Sequence, residues 1–351
     1  MKLTLEDIKR VDPTAMRSWI MDFPLQAEEA VRIARGTPLS LSSKGITSIL
    51  VTGMGGSAIG GDLIRSYLAG ALKIPFVVSR SYVLPSFVGK STLVVVSSYS
   101  GNTEETLSSY REALKRKAKI LCITTGGAAE RIARTHHHDC IKVPPGLQPR
   151  AALGYSFFPL LVALERMGFI GSQRRAIQET ISGLKFRSLM YRDPQSPANL
   201  PLKTASRLYG RLPVIYSSVD SFDAINVRWR GQINENAKQL AFGHVLPEMN
   251  HNEIVGWNVN RSLMKKMCVV FLRDRGTHKQ VQRRMDVTMK IVKRYASGVQ
   301  EVWSEGGSLL ARMFSLVYFG DWMSYYLAIL NKQNPTPVKA IDYLKSELAK
   351  G

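Results

Sequence analysis

The fold is decided by a glycine-rich turn that reads Val51-Thr52-Gly53-Met54-Gly55-Gly56-Ser57-Ala58-Ile59-Gly60-Gly61. A second turn of this kind comes later and reads Ser97-Ser98-Tyr99-Ser100-Gly101-Asn102-Thr103-Glu104-Glu105-Thr106. Each turn follows an apolar run and opens a helical pattern, so it offers free backbone N–H groups, hydroxyl donors and the positive end of a helix dipole. Two such turns in one sheet predict that a phosphorylated small molecule binds between them.

The residues around the two turns alternate apolar runs with helical periods. We predict strands at 48–52, 76–79, 92–97, 119–124 and 140–143, with helices over 57–71 and 103–117. The apolar runs are nearly continuous and rich in β-branched residues, which is typical of strands buried on both faces. The alternation of strands and helices therefore predicts a parallel, doubly wound sheet.

The second half of the chain repeats this pattern. We predict strands at 212–217, 267–272 and 299–303, and helices over 221–242, 279–295, 309–330 and 338–349. Between 183 and 203 the pattern lapses into a sequence that is typical of a linker or turn. The predicted fold class is α/β, with two doubly wound parallel-sheet subdomains over residues 1–183 and 203–351 and a C-terminal helical tail.

The charge of the chain raises the question of a nucleic-acid partner. The 351 residues carry a formal net charge of +21, and 45% of them are hydrophobic. Such a charge invites an interpretation as nucleic-acid binding. However, the basic residues are spread along the chain, without a basic tail or an interleaved aromatic and basic motif. We therefore predict a solvated basic surface that attracts anionic metabolites, and no nucleic-acid partner.

The longest apolar stretch, Leu309 to Leu330, has nearly transmembrane length. It contains Arg312 and Asp321, and the cost of central charges in lipid favours a helix buried in a core or in a dimer interface. No membrane association is expected. The N-terminus lacks the apolar region of a signal peptide. The three cysteines form neither a disulfide framework nor a CxxC metal pattern, which fits a cytoplasmic protein.

The first turn also matches a dinucleotide-binding pattern. Residues 53–58 fit G-x-G-x-x-A, and Arg80 lies where an NADP-binding arginine could sit. The Lys of G-x-x-x-x-G-K is missing, which excludes a P-loop NTPase. A Rossmann domain has no need for the second turn, whose Ser98, Ser100 and Thr103 can converge on one phosphate. Ordinary helix capping is the alternative role for these hydroxyl groups.

The two turns together resemble the phosphosugar-binding signature of the sugar isomerase (SIS) domain family. The tandem arrangement resembles the archaeal-type bifunctional phosphoglucose/phosphomannose isomerases, and the resemblance covers nearly the whole chain. The further matching motifs, in the order of that family, are Gln148-Pro149-Arg150-Ala151, Asn234-Glu235-Asn236-Ala237-Lys238, Pro247-Glu248-Met249-Asn250-His251-Asn252-Glu253, Pro335-Thr336-Pro337 and Leu344-Lys345.

The resemblance implies two SIS subdomains of flavodoxin-like fold, a homodimer and an enzyme that needs neither a cofactor nor a metal. The implied substrate is a phosphorylated hexose, with reversible conversion of glucose 6-phosphate or mannose 6-phosphate into fructose 6-phosphate. The residues expected to bind the phosphate group are Gly56, Ser57, Ser98, Ser100 and Thr103.

Aldose–ketose isomerisation requires ring opening, a base that moves a proton between C1 and C2, and stabilisation of an enediolate. Glu235 is the candidate base; the alternative of a solvated helix glutamate is disfavoured by the family match. Arg150 is the candidate cation beside the enediolate oxygen, and a surface loop arginine is its alternative. His251 is the candidate for ring opening, because imidazole is the side-chain group best suited to exchange protons near neutral pH, and helix capping is its alternative role. By the resemblance, this histidine reaches the site from the neighbouring subunit.

The C-terminal tail supplies the last catalytic candidates. Lys345 matches the ring-opening lysine of such isomerases. Thr336 is expected to be the hydroxyl residue that leaves room for the intermediate to rotate, so that both C2 epimers form. Two rival functions stay open: a non-catalytic phosphosugar sensor, which usually carries a DNA-binding helix-turn-helix, and an NADP-dependent oxidoreductase.

Three consecutive histidines, His136, His137 and His138, invite a metal-site interpretation. They cannot all point the same way on a helix or a strand. A surface cluster is therefore predicted, and no metal site.

Overall fold

Two parallel β-sheets, one in each half of the chain, form the frame of the protein. The computed structural model describes residues 3–14, 16–348 and 350. The strands are β1 (Ser48–Thr52), β2 (Phe76–Ser79), β3 (Thr92–Ser98), β4 (Lys119–Thr124), β5 (Asp139–Lys142), β6 (Leu212–Ser218), β7 (Phe242–Leu246), β8 (Met267–Arg273) and β9 (Gly298–Trp303). The first sheet has the order β2-β1-β3-β4-β5 and the second has the order β7-β6-β8-β9. The predicted α/β fold with two parallel sheets is confirmed.

Helices cover both sheets and fill the space between them. The helices are α1 (Leu5–Val11), α2 (Met16–Met21), α3 (Phe23–Gly36), α4 (Gly55–Leu68), α5 (Glu104–Lys115), α6 (Gly127–Thr135), α7 (Leu153–Arg166), α8 (Arg174–Tyr191), α9 (Leu200–Leu208), α10 (Asp223–Ala237), α11 (Glu253–Gly256), α12 (Arg261–Met264), α13 (Lys279–Val292), α14 (Leu309–Leu330) and α15 (Lys339–Leu348). Two 3₁₀ turns, Pro149–Ala151 and Glu248–His251, complete the regular structure.

The strands β1 and β3 lie side by side at the centre of the first sheet. Both are buried along their whole length, as expected for strands covered on both faces. They pair in parallel with Val51 opposite Val95. The chain leaves β1 towards β2 on one side, and β3 lies on the other, so β1 and β3 border the topological switch point where ligands bind in such sheets. The turns after β1 and β3 therefore open at the same edge of the sheet.

Helix α14 is the central element between the two halves. All but Leu309 and Arg312 of its residues are buried. Its acidic residue Asp321 accepts hydrogen bonds from Arg228 at 2.9 Å and from Gln232 at 2.7 Å. The apolar stretch is thus a core helix, which is one of the two predicted alternatives, and its Asp321 is paired with Arg228. Within the described residues, no helix combines the length and the hydropathy needed to cross a membrane.

The predicted helix over 221–242 is wrong at its C-terminal end. Helix α10 ends at Ala237, because Lys238 adopts a left-handed backbone conformation with φ 54°. The chain then forms β7, in which Phe242 pairs with Val214 of β6. The pairing of β7 with β6 therefore overrides the helical pattern that the sequence shows up to residue 242.

The predicted linker between 183 and 203 is mostly helical. Helix α8 continues to Tyr191 and α9 begins at Leu200. Asn199 closes the short connection, because its side chain accepts from Leu202 N at 3.0 Å and donates to Tyr191 O at 2.9 Å. Only the residues between the two helices form a turn.

The two halves share one hydrophobic core. Its largest cluster joins Val51 of β1, Ile215 of β6 and Trp322 of α14. The outer faces of the two sheets have clusters of their own. The subdomain boundaries at 183 and 203 stay a prediction.

Candidate active site

The turns after β1 and β3 are in direct contact. The Oγ of Ser57 accepts a hydrogen bond from Tyr99 N at 3.1 Å, and the Ser57 carbonyl accepts from the Ser97 hydroxyl at 3.3 Å. A Cβ on Gly53 would lie 2.7 Å from Ser97 O, so glycine is needed for this approach. At the start of α4, the Ser57 and Ala58 amides donate to Met54 O at 3.0 and 3.3 Å, while the Gly55 and Gly56 amides have no acceptor among the described residues. The two turns therefore form one polar surface at the carboxyl edge of the sheet.

The hydroxyl groups of the second turn have different environments. Ser98 is 1% exposed, and its Oγ accepts from Gly101 N at 3.1 Å and donates to Thr103 Oγ1 at 3.2 Å. Thr103 is the N-cap residue of α5 but makes no capping bond with its side chain. Ser100 is exposed and accepts from Asn102 N at 3.3 Å. Ser98 thus shapes the turn, while Ser100 and Thr103 retain their hydroxyl protons for an outside acceptor.

The first turn packs tightly on the 3₁₀ turn that carries Arg150. A Cβ on Gly56 would lie 2.3 Å from Pro149 O and 3.0 Å from Arg150 N. The Ser156 hydroxyl donates to Gly56 O at 3.3 Å. Glycine at position 56 therefore allows the turn after β1 to approach the turn that carries Arg150. We call the turns after β1 and β3 the phosphate-type turns.

Arg150 connects three segments that are far apart in the sequence. Its side chain is 4% exposed. Nε donates to Asn236 Oδ1 at 2.8 Å, and Nη1 lies 3.5 Å from Glu235 Oε2, both on α10. Nη2 donates to Pro335 O at 2.6 Å and to Thr336 O at 2.7 Å in the tail. The guanidinium group therefore fixes the tail against the helix that carries the candidate base.

The surroundings of Arg150 hold it in place. Arg228 donates to Arg150 O at 3.2 Å and pairs with the buried Asp321. Burial raises the pKa of Asp321, and Arg228 opposes that shift. Burial also lowers the pKa of Arg150, while Glu235 opposes this effect. The cluster thus rests on a buried ion pair between α10 and α14, which ties the site to the core of the protein.

An open groove lies beside the Arg150 cluster, which we define as Arg150 and its partners Glu235, Asn236, Pro335 and Thr336. Its volume is about 610 Å³, and it is bordered by the C-terminal end of α10 and by the tail. The Glu235 side chain, 33% exposed, and Lys238 line one wall, and the segment from Pro337 to Ile341 lines the other. The candidate base is therefore accessible to a small molecule, unlike the buried arginine beside it.

Thr336 and Lys345 occupy different positions in the tail. Thr336 is 8% exposed, and its hydroxyl oxygen has no hydrogen-bond partner in the described part of the chain. Lys345 is exposed on α15, and the described residues offer it neither a hydrogen bond nor an ion pair. It lies four residues after Ile341, which lines the groove, and residues at this spacing share one face of a helix.

His251 is not brought to this cluster within one chain. It is exposed at the end of the 3₁₀ turn Glu248–His251. Among the described residues, no hydrogen bond or ion pair joins it to Arg150, to Glu235 or to the tail. Its predicted role therefore depends on a second subunit.

Three residues that the sequence did not single out position the site. The Tyr99 hydroxyl donates to Pro144 O at 2.9 Å and accepts from Leu147 N at 3.2 Å, which holds the segment leading to Arg150. Asn236 holds the guanidinium group of Arg150, and Lys238 contacts the tail. All three residues lie inside motifs that the sequence analysis quoted, so those motifs were the signal that could have identified them.

The other sequence-based candidates have separate structural roles. Arg80 forms an ion pair with Asp62, so its guanidinium group is already engaged. His138 Nδ1 lies 2.9 Å from the Tyr110 hydroxyl, and burial lowers the pKa of this histidine. The described residues contain no group of three or more His, Cys, Asp or Glu side chains that could hold a metal ion.

Comparison with known families defines the class of this protein. The SIS domain model matches residues 41–164, and the model of the bacterial phospho-glucose isomerase C-terminal SIS domain matches residues 198–348. The two matches contain the two sheets, so the chain is a tandem SIS-domain protein. A hypothetical protein from Thermus thermophilus shares the fold, with a TM-score of 0.75 at 16% identity over 98% of this chain and 92% of that chain.

Curated relatives define the family more narrowly. A bifunctional phosphoglucose/phosphomannose isomerase from Caldicellulosiruptor bescii is 44% identical over 94% of this chain and 98% of the relative. One from Aquifex aeolicus is 38% identical over 86% and 90%, respectively. The chain belongs to the bifunctional phosphoglucose/phosphomannose isomerase family.

Proposed function

We propose that this enzyme converts glucose 6-phosphate and mannose 6-phosphate reversibly into fructose 6-phosphate. The observation that carries the proposal is the position of Arg150. It contacts the first phosphate-type turn through its backbone and the candidate base Glu235 through its guanidinium group, beside an open groove. The names of the relatives from C. bescii and A. aeolicus support the same reaction.

The phosphate group binds, in this proposal, to the two turns after β1 and β3. The helices α4 and α5 begin at these turns, and the positive ends of their dipoles favour an anion. Gly56 offers a backbone amide, and Ser57, Ser100 and Thr103 offer hydroxyl donors. Ser98 contributes by holding the second turn in shape, since its own hydroxyl is bonded to Thr103.

The Gly56→Ala variant tests the contact between the first turn and the arginine. The added Cβ would meet Pro149 O at 2.3 Å, so the turn must move, and overpacking of this kind costs about 1–3 kcal/mol. We expect urea unfolding to show that loss and kinetics to show a raised KM for fructose 6-phosphate. The matched control is Gly70→Ala, because a Cβ at Gly70 meets no atom within 4 Å. Equal KM values for the two variants would contradict the proposed phosphate site.

Glu235 and Arg150 carry the proton transfer. The carboxylate of Glu235 takes the proton from C2 of the open-chain aldose and returns it to C1, while the proton of the C2 hydroxyl moves to the C1 oxygen, which yields the ketose. The negative charge of the enediolate intermediate develops in the groove at Glu235, and the buried guanidinium group of Arg150, whose Nη1 is 3.5 Å from the base, lies behind this position. A fixed cation in a buried setting stabilises such charge more strongly than water does.

Ring opening and epimer choice are assigned to the other candidates. His251 of a second subunit and Lys345 of the tail exchange protons with the ring oxygen and the anomeric hydroxyl. Thr336, whose buried hydroxyl has no hydrogen-bond partner among the described residues, is proposed to leave room behind the groove for the intermediate to rotate. Both C2 epimers then form.

An assay that starts from fructose 6-phosphate tests the proposed function. We expect both glucose 6-phosphate and mannose 6-phosphate to form, each measured with its own coupling enzyme. Formation of glucose 6-phosphate alone would contradict the role of Thr336. Binding of fructose 6-phosphate without formation of either product would instead favour the phosphosugar sensor.

The dimer is proposed from the exposed surface around His251. The segment after this histidine exposes the apolar residues Val255 by 75%, Val259 by 81% and Leu263 by 50%. Exposed apolar side chains grouped in one segment indicate an interaction surface. A second copy that covers this surface would bring His251 to the groove of its partner.

Mixed dimers of His251→Ala and Glu235→Gln chains test this arrangement. A mixed dimer contains one site with an intact Glu235 and, from the other chain, an intact His251. Each homodimer is expected to be inactive. An equimolar mixture, refolded together, should regain about a quarter of the wild-type activity, because half of its dimers are mixed and each has one complete site. If both residues act within one chain, no activity returns.

The cytoplasmic location is also part of the proposal. In the described part of the chain Cys122, Cys140 and Cys268 are free thiols, which suits a reducing compartment. The chain is proposed to act on its sugar phosphate without a nucleic-acid partner. Cell fractionation followed by immunodetection tests the location.

A further inference from the structure

Lys238 adopts a backbone conformation that does not suit its residue type. It ends α10 with φ 54° and ψ 36°, in the left-handed region. Helices usually place glycine or asparagine at such a position, because an L side chain with a Cβ is strained there. Lys117 and Lys332 have the same left-handed backbone after other helices, so the contacts of the Lys238 side chain, and not its backbone alone, distinguish this lysine.

The side chain of Lys238 joins two parts of the site. Its Nζ donates to Glu235 O at 2.5 Å and to Pro335 O at 3.1 Å. The same Pro335 carbonyl accepts from Arg150 Nη2 at 2.6 Å. Two cations therefore meet at one carbonyl of the tail. Lys238 also lines the groove, opposite the segment that leads into α15.

We propose that Lys238 is a positioning residue whose ammonium group holds the tail at Pro335 against the C-terminal end of α10. On the buried side, Arg150 donates hydrogen bonds to the carbonyls of Pro335 and Thr336. Lys238 fixes the tail from the groove side, and so sets the width of the groove in which the substrate of the proposed reaction binds. The inference rests on the proposed function for its kinetic consequences, but not for the contact itself.

The positive charge of Lys238 does not stabilise the folded protein. Burial, together with the nearby charge of Arg150, lowers its pKa to about 8, while Glu235 opposes this shift. Lys339, which lines the same groove, is a further cation on the tail side. A lysine whose pKa is lower in the folded chain than in the unfolded chain reduces stability while it is protonated in both states, up to about pH 8. Backbone strain and charge both oppose folding at Lys238, and the hydrogen bonds to Glu235 O and Pro335 O are what its side chain contributes.

Glycine and arginine variants separate the side chain from the backbone. Lys238→Gly relieves the left-handed backbone and removes the ammonium group, whereas Lys238→Arg keeps a cation in a strained backbone. We expect Lys238→Gly to keep or raise the Tm while kcat/KM for fructose 6-phosphate falls by about tenfold, the effect of losing charge-assisted hydrogen bonds. Lys238→Arg should recover most of that loss. If Lys238→Gly does not fold, Lys238→Asn serves instead, since asparagine also tolerates this conformation.

Lys117 provides the matched control. It has φ 57°, follows α5 and is exposed, and the described residues give its side chain no hydrogen bond. Lys117→Gly relieves the same left-handed backbone strain at a position that is remote in sequence from the tail. We expect unchanged kinetics in this variant.

Hydrogen exchange of the tail tests the contact without any substrate. Amides in residues 336–348 should exchange several-fold faster in Lys238→Gly than in the wild type and in Lys117→Gly. Unchanged tail exchange in Lys238→Gly would overturn the inference, even if activity falls, because the lysine would then act by another route. If the wild type forms no isomerised product, the proposed function fails, and faster tail exchange would still support the role of Lys238 in holding the tail.

Discussion

Glu235→Gln is expected to lower kcat for isomerisation by about 10²–10⁴-fold, the usual contribution of a positioned base. The amide has almost the same shape as the carboxylate and can still accept a hydrogen bond from Arg150, but it cannot take a proton from carbon. Since the phosphate-type turns are unaltered, the Kd for fructose 6-phosphate should stay close to that of the wild type. Stopped assays of product formation and calorimetric titration measure the two quantities.

A matched control for this variant is Glu28→Gln on α3. Glu28 forms a surface ion pair with Lys185, in which both side chains are nearly half exposed. The same chemical change should therefore leave kcat unaltered, since exposed ion pairs contribute little. A Glu235→Gln enzyme with full activity would remove Glu235 from the role of base.

Arg150→Lys is expected to reduce both catalysis and stability. The planar guanidinium fork reaches Asn236 on α10 and the carbonyls of Pro335 and Thr336 at once, and a single ammonium group cannot reproduce that geometry. Pro335 O keeps the hydrogen bond from Lys238, but Thr336 O loses its donor, and a buried carbonyl without a donor costs about 1–3 kcal/mol. Loss of the cation beside the enediolate should lower kcat by about 10²–10³-fold.

Urea unfolding and steady-state kinetics at a temperature where the variant is fully folded separate these two effects. Arg80→Lys is the control, because Arg80 pairs with Asp62 outside the Arg150 cluster and is 41% exposed. We expect this control to change stability by less than about 1 kcal/mol. An Arg150→Lys enzyme with normal kcat, or an Arg80→Lys enzyme with a strongly reduced one, would contradict the proposed site and revive an NADP-type role for Arg80.

The two phosphate-type turns could be predicted because their signal is local. Continuous apolar runs indicate strands buried on both faces, and β1 and β3 are buried throughout. The glycines and hydroxyl residues that follow belong to turn chemistry, which acts between neighbours in the chain. The end of α10 could not be predicted in this way. Residues 238–242 contain no Pro or Gly, and pairing of β7 with β6 decided the outcome.

By itself, the sequence determined the parallel α/β frame and the hydroxyl-rich turns, because periodicity and turn preferences depend on adjacent residues. The candidates for acid–base chemistry followed from the resemblance of its motifs to a known family. Only the tertiary structure decided that Arg150 meets Glu235, 85 positions later, and Pro335, 185 positions later. It also decided that Lys238 holds the tail while His251 lies outside the cluster of its own chain. Such contacts depend on how α10, α14 and the tail pack together, and no local preference encodes them.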